Sequence, residues 1–180
     1  MRIFSKVISD RESVMKKIVL NILLMTGVLL CTGCGEKNEH VAQGMQYIED
    51  AQYQNAVDSF KKAEEHKEDM RQVCRGMGIA YMGLADYEKA VELFLEALDY
   101  SNGILDSMDY DINYYLAAAY YKNGQLKESE RTYDAIIDLK SRDAIAYELR
   151  GKIRLEMGRY EEAMEDFDKA IELKKKDYDM

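Results

Sequence analysis

The chain has 180 residues, no proline and no tryptophan, and a formal net charge of −9 from 25 basic and 34 acidic side chains. That sign argues against a nucleic-acid partner, because phosphate-backbone binding needs a basic stripe that releases counterions. A proline-free chain rich in Ala, Leu, Glu and Lys favours helix throughout, and the length allows one ordinary domain with a sizeable core.

Residues 1–33 hold five basic side chains (Arg2, Lys6, Arg11, Lys16, Lys17) and two acidic ones (Asp10, Glu12), leaving 20 basic and 32 acidic, a net of −12, in the rest. Met15-Lys16-Lys17 precedes an apolar run of 13 residues, Ile18 to Leu30, and then CTGC, Cys31 to Cys34. A positive start, a short apolar run and a small-residue site are the parts of a secretory signal. Residues 1–33 are read as that signal, with 15–33 as its complete form. Residues 1–14 are polar and the segment from Met15 needs none of them, which points to Met15 as the start. A spanning helix needs roughly 20 apolar residues; this run is shorter and contains Asn21. Export is therefore favoured, with an uncleaved anchor as the alternative.

Cys31 and Cys34 have CxxC spacing. A redox pair would need a folded setting that lowers one thiol pKa. A zinc site would need two more ligands, for which the rest of the chain offers only Cys74, His40 and His66. The stretch instead resembles a bacterial lipoprotein signal: Thr32 and Gly33 supply the small pair and Cys34 the thiol, although Cys31 stands where leucine is usual. The resemblance implies that Cys34 is acylated on sulfur and becomes the mature N-terminus, with 34–36 as lipidated end and linker. It also implies a lipid anchor at the extracytoplasmic face of a bacterial cell membrane, since two acyl chains hold durably to a bilayer. Only Gly35 and Glu36 then separate lipid from the following domain, which is expected close to the bilayer.

Four later stretches are alike: YQNAVDSFKKAEE from Tyr53, YEKAVELFLEALD from Tyr87, LKESERTYDAIID from Leu126 and YEEAMEDFDKAIE from Tyr160. The first and second start 34 residues apart, as do the third and fourth, while the second and third are 39 apart. Upstream of each lies a helical pattern ending GMQY, GIAY, AAAY or GKIR. Its small residue (Gly44, Gly78, Ala117, Gly151) precedes by 12 a second small residue (Ala56, Ala90, Ser129, Ala163). The register pairs two helices in a hairpin that approach where both side chains are small. Glycine inside a helix costs about 1 kcal/mol against alanine, so its recurrence marks a packing requirement. Phe60, Phe94, Tyr133 and Phe167, then Ala63, Ala97, Ile136 and Ala170, complete an i, i+4, i+7 stripe on the second helix.

These residues resemble tetratricopeptide repeats over 37–70, 71–104, 110–143 and 144–177, a domain of 37–177 with 105–109 inserted. The resemblance implies an all-α fold, a right-handed α-solenoid of about four helix-turn-helix hairpins. The family's proline near each repeat end is replaced by Glu68, Asn102, Ser141 and Lys175, leaving turns to Asn102-Gly103 and similar pairs. Arg154 stands where the other units have tyrosine. The insertion is expected to lengthen a helix or loop. Solenoid ends are usually capped; with no further helix expected after 177, the last helix should be its own polar cap. Lys174 to Lys176 suit its C-terminal dipole.

The resemblance further implies that the first helix of each repeat lines a groove for a protein or peptide. The corresponding positions are Val41, Met45 and Ile48; Arg75, Ile79 and Met82; Tyr114, Ala118, Tyr121 and Lys122; Glu148, Lys152 and Leu155. The candidate partner-binding set is Met45, Ile48, Arg75, Ile79, Met82, Tyr114, Ala118, Tyr121, Lys122 and Lys152. Methionines adapt to varied surfaces and tyrosines supply contact area; packing against neighbouring helices is the alternative at every position. The carboxylate clamp of some members is absent, its positions reading Val41, Met45, Gly76, Asp111 and Tyr115. His40 and His66 read as solvated helix residues and Cys74 as a small buried hydrophobe. No phosphate loop, metal-ligand spacing or triad appears, so no catalysis, metal, cofactor or small-molecule substrate is expected. The expectation is an exported, lipid-anchored scaffold for an unknown protein or peptide. The alternative is a structural accessory subunit of an envelope enzyme or a secretion or assembly complex.

Overall fold

The computed structural model describes residues 38–178. The signal segment 1–33, Cys34 and the linker to Lys37 lie outside the described residues. Among the described residues there are eight helices and no strand: α1 (Glu39–Glu49), α2 (Tyr53–Glu65), α3 (Met70–Gly83), α4 (Tyr87–Asp99), α5 (Ser107–Lys122), α6 (Leu126–Leu139), α7 (Ala144–Glu156) and α8 (Tyr160–Tyr178). Consecutive helices pair as four hairpins, each packed on the next, forming an all-α, right-handed solenoid.

All four hairpin turns close in the same way. The residue after each first helix's C-cap is left-handed: Ala51 (φ 55°), Ala85 (φ 61°), Gly124 (φ 77°) and Gly158 (φ 76°). The next N–H then reaches back to the carbonyl at the tyrosine or arginine position. Gln52 donates to Tyr47 at 2.8 Å, Asp86 to Tyr81 at 3.0 Å, Gln125 to Tyr120 at 2.8 Å and Arg159 to Arg154 at 2.9 Å. This pattern satisfies carbonyls that a helix end leaves open. Asp69, Asp86, Asp106 and Asp143 cap the starts of α3, α4, α5 and α7 by accepting backbone N–H bonds.

Where the family has proline, this chain uses side chains. The Glu68 carboxylate accepts from the N–H groups of His40 (3.1 Å) and Val41 (2.9 Å), capping α1 across the first hairpin. Asn102 accepts from the Ile104 N–H at 3.0 Å, beside Gly103 at φ 79°. The extra residues between the second and third hairpins are shared: the connection Tyr100–Asp106 is longer than its counterparts, and α5 runs to 16 residues where α3 has 14. Arg71 of α3 ties this segment down through Asp106 at 2.7 Å and the buried Asp109.

The recurring glycines make room for rings more than for the small residues 12 positions on. Phe60 is fully buried between two helices: a Cβ on Gly44 would lie 2.7 Å from its ring, and one on Gly76 only 2.2 Å away. Phe94 rests on Gly78 and stacks at 5.7 Å on Tyr115, the register equivalent of Gly76. Phe167 lies against Gly151. In the third hairpin the small pair meets directly, the Ser129 hydroxyl donating to the Ala117 carbonyl at 2.7 Å.

Arg154, the departure from tyrosine, belongs to a charged seam through α6, α7 and α8. Buried Asp166 accepts from Arg150 at 2.6 and 3.0 Å and from Arg154 at 3.0 Å. Arg150 also reaches Asp134 at 2.7 Å, and Glu130 accepts from Arg154 (2.8 Å) and Arg159 (2.6 Å). Burial pushes the Glu130 carboxyl up, but the hydrogen bonds from the two arginines outweigh it and hold the group below its ordinary value. The polar cap expected of the last helix is not what forms. Tyr160, Met164 and Ile171 of α8 are all more than half exposed, whereas the apolar residues that earlier second helices carry at those positions are buried or half-buried.

Candidate partner-binding face

The predicted positions lie on the first helices of the hairpins, α1, α3, α5 and α7, and the structure gathers them into two places. In the first, Arg75 of α3 reaches α1 and α5 together. Its Nη1 lies 4.0 Å from the Met45 Sδ, its guanidinium pairs with Asp111, and it stands 5.7 Å from the centre of the Tyr115 ring. This arginine is therefore already occupied, and Asp111 and Tyr115 matter here through that pairing. Ile48 packs on the core of the first hairpin, and Ile79 and Met82 on that of the second, all half-buried.

The second place is a partly open apolar cleft of ≈ 130 Å³ between α5 and α7, lined by Ala118, Tyr121, Tyr133, Leu149, Lys152 and Ile153. It is comparable with the engineered cavity of about 150 Å³ that takes up benzene, a size suited to one apolar side chain. The Tyr121 hydroxyl donates to Glu156, and exposed Lys122 brings its Nζ to 5.9 Å from the Tyr121 ring. Lys152, also exposed, pairs with Glu148 at 2.9 Å, and Glu148 in turn holds Lys174 at 2.7 Å. Hydrogen bonds from Lys174 and Lys152 hold the Glu148 carboxyl down at about 2. Tyr114 sits deeper, its ring edge-on to Tyr133 at 6.0 Å and its hydroxyl buried. Burial first, and the Asp143 carboxylate second, raise that phenol well above its ordinary value.

Three of the ten predicted positions, Ala118, Tyr121 and Lys152, thus meet in one cleft. Leu149, Ile153 and Tyr133 complete it and were not among the predicted residues. Leu149 holds the register of Gly76 and Tyr115, so extending that register by one repeat would have found it. Tyr133 comes from a second helix, and only the cross-hairpin packing brings it to this face.

Burial, then nearby Glu96, pushes the buried Cys74 thiol up to about 12, which leaves no thiolate at neutral pH. The His40 and His66 rings meet at a tilt of 57° with centres 4.7 Å apart, and His66 Nδ1 lies 2.7 Å from the Lys62 carbonyl. His40 is half-buried and its Nδ1 is enclosed without a hydrogen-bond partner, so it is not the solvated residue expected. Among the described residues no group of His, Cys, Asp and Glu is arranged to hold a metal ion, and no helix is long and apolar enough to cross a membrane.

Paired helices stacked hairpin on hairpin, with a side-chain-sized cleft between their first helices, define a helical-repeat protein of the interaction-scaffold class. The tetratricopeptide-repeat family model matches residues 75–144 and 119–178, together more than half of the sequence, and the chain belongs to that family. No curated protein matches the sequence. Among solved structures it is similar to "Crystal structure of MamA" (20% identity, TM-score 0.71, covering 86% of this chain and 87% of that one). It is also similar to "Crystal structure of MamA protein" (21%, TM-score 0.69, 83% and 79%) and "MamA MSR-1 C2" (18%, TM-score 0.65, 77% and 76%). At such identity the likeness shows the fold alone.

Proposed function

We propose that this protein is an exported, lipid-anchored scaffold that holds a protein or peptide against the first-helix face of its repeats at the bacterial cell envelope. The observation that carries the binding half is the α5–α7 cleft, an apolar niche with Lys152 at its edge. Apolar pockets with a few polar groups at the rim are the usual form of a binding site. The anchoring half is supported by the Met15–Cys34 segment, where a basic start, a 13-residue apolar run and Thr32-Gly33-Cys34 follow in order. No catalytic role is assigned to any residue.

A second reading, a structural accessory subunit of an envelope complex, draws support from the groove itself. Arg75, Tyr121 and Lys152 are already tied to Asp111, Glu156 and Glu148, as in a surface built for stiffness. Two experiments test the proposal. Metabolic labelling with a fatty acid should mark the wild type and not Cys34→Ala; equal labelling of both overturns the anchor. Partner capture from membranes should be lost with Ala118→Trp, which fills the cleft, and kept with wild type. Undiminished capture removes the cleft from the binding surface, and a stoichiometric, inseparable complex favours the subunit.

A further inference from the structure

Tyr160, Met164 and Ile171 lie on one side of α8 and are 62%, 57% and 58% exposed. Their apolar register equivalents are all less exposed: Tyr53, Tyr87, Leu126 and Leu98 are half-buried and the rest are buried. The polar equivalents are Glu64, exposed, and Glu130, half-buried. Val57 and Val91 share the position of Met164 at 1% and 8% exposure, and Ile137 shares that of Ile171 at 7%. In each case the following hairpin supplies the cover, through Val73, Ile112 and Ile153 respectively. The outer side of α8 is thus shaped to receive a helix.

The other end of the array is finished differently. Val73 and Met77 of α3, like Ile112 and Leu116 of α5, pack on the preceding hairpin. In α1 the same positions are Glu39 and Gln43, both exposed. A polar face gives no match to an apolar one, so copies stacked head to tail are disfavoured. A surface like itself fits the α8 face.

Charge patterning supports that match and gives its direction. Glu161, Asp168 and Lys175 recur every seven residues along one flank of the apolar stripe, the spacing that keeps side chains on one seam of paired helices. All three are exposed, and among the described residues Glu161 and Lys175 form no ion pair, whereas Lys169, Lys174 and Lys176 are engaged with Glu172 or Glu148. When two identical helices run antiparallel, equal flanks face each other across the two-fold axis. Glu161 then meets the partner's Lys175, twice by symmetry, and Met164 and Ile171 of both copies share the seam. We propose that the α8 face docks a second copy of this chain, α8 antiparallel to the partner's α8. Asp168, near the axis, meets its own equivalent, and this like-charge contact limits the affinity.

The proposal is independent of the groove and the anchor. Its test is the mass of the full chain in mild detergent by sedimentation over a concentration series. Wild type should pass from monomer to dimer, and Met164→Glu with Ile171→Glu should stay monomeric with an unchanged helical spectrum, since both side chains are exposed in the monomer. Glu161→Lys and Lys175→Glu should each weaken the dimer about fivefold or more, in line with about 1 kcal/mol for a good surface pair. Mixing the two variants should restore it, and Asp168→Asn should tighten it. A wild type that is monomeric throughout, or a dimer that survives the double glutamate change and so uses another surface, overturns the proposal. A mixture no stronger than its components overturns the antiparallel arrangement.

Discussion

Replacing Gly76 by alanine should destabilise the array, although alanine is the better helix former. The helix-propensity gain is about 1 kcal/mol. Against it, the new Cβ would lie 2.2 Å from Phe60 Cζ and 2.5 Å from Cε1, where carbon atoms normally rest about 3.5–4.0 Å apart. The ring must retreat by more than ~1 Å to restore that contact distance, and its other face already rests on α1 at Gly44, where a Cβ would be 2.7 Å away. With Phe60 fully buried and no free side to move into, the cost falls at or above the top of the usual overpacking range of about 1–3 kcal/mol. The net loss is then about 2 kcal/mol, or roughly 4–8 °C in Tm for a chain of this size. Urea titration followed by circular dichroism measures it, as a lower midpoint at similar slope. Combining Gly76→Ala with Phe60→Leu should cost less than the two changes separately, because the smaller side chain vacates the contested space. A Gly76→Ala variant as stable as wild type, or more stable, would refute the sandwich argument.

Asp166→Ala should cost about 3–5 kcal/mol, since it strips Arg150 and Arg154 of a buried shared acceptor; thermal melting compared with Asp168→Ala on the exposed side measures the difference. Ala51→Gly and Ala85→Gly should each stabilise by about 0.5–1 kcal/mol, because both alanines hold φ near 60° in a region costly for any residue with a Cβ, read as a raised urea midpoint. Glu148 contributes stability that is fully present above the unfolded carboxylate pKa of about 4.3 and is lost as pH falls through its folded value of about 2. Acid titration of the melting temperature should therefore show a steeper fall over that window in wild type than in Glu148→Gln, with the difference shrinking in high salt because the group is partly exposed.

The hairpins were legible because their determinants are local and repeated. A 34-residue period, small residues 12 apart and the i, i+4, i+7 stripe each survive in a linear string. The face carried by the first helices was legible for the same reason, since one register names corresponding residues in every repeat. Tyr133 and Ile153 were not legible as cleft residues, because they reach it through packing between hairpins. Arg154 read as an anomaly; the seam with Asp166 and Glu130 that explains it joins three helices. Lys174 to Lys176 suggested a polar last helix, yet a charge run describes only the residues it contains. The exposure of Tyr160, Met164 and Ile171 depends on which helices lie beside α8.

Periodicity and residue size, which act within one or two helical turns, were enough to specify the helices, their pairing and the repeat family. Which charges neutralise one another, which ring fills which glycine's space, where a cleft opens and which face is left uncovered depend on distances between residues far apart in the chain. Those distances follow from the stacking of successive hairpins, so only the folded array could decide them.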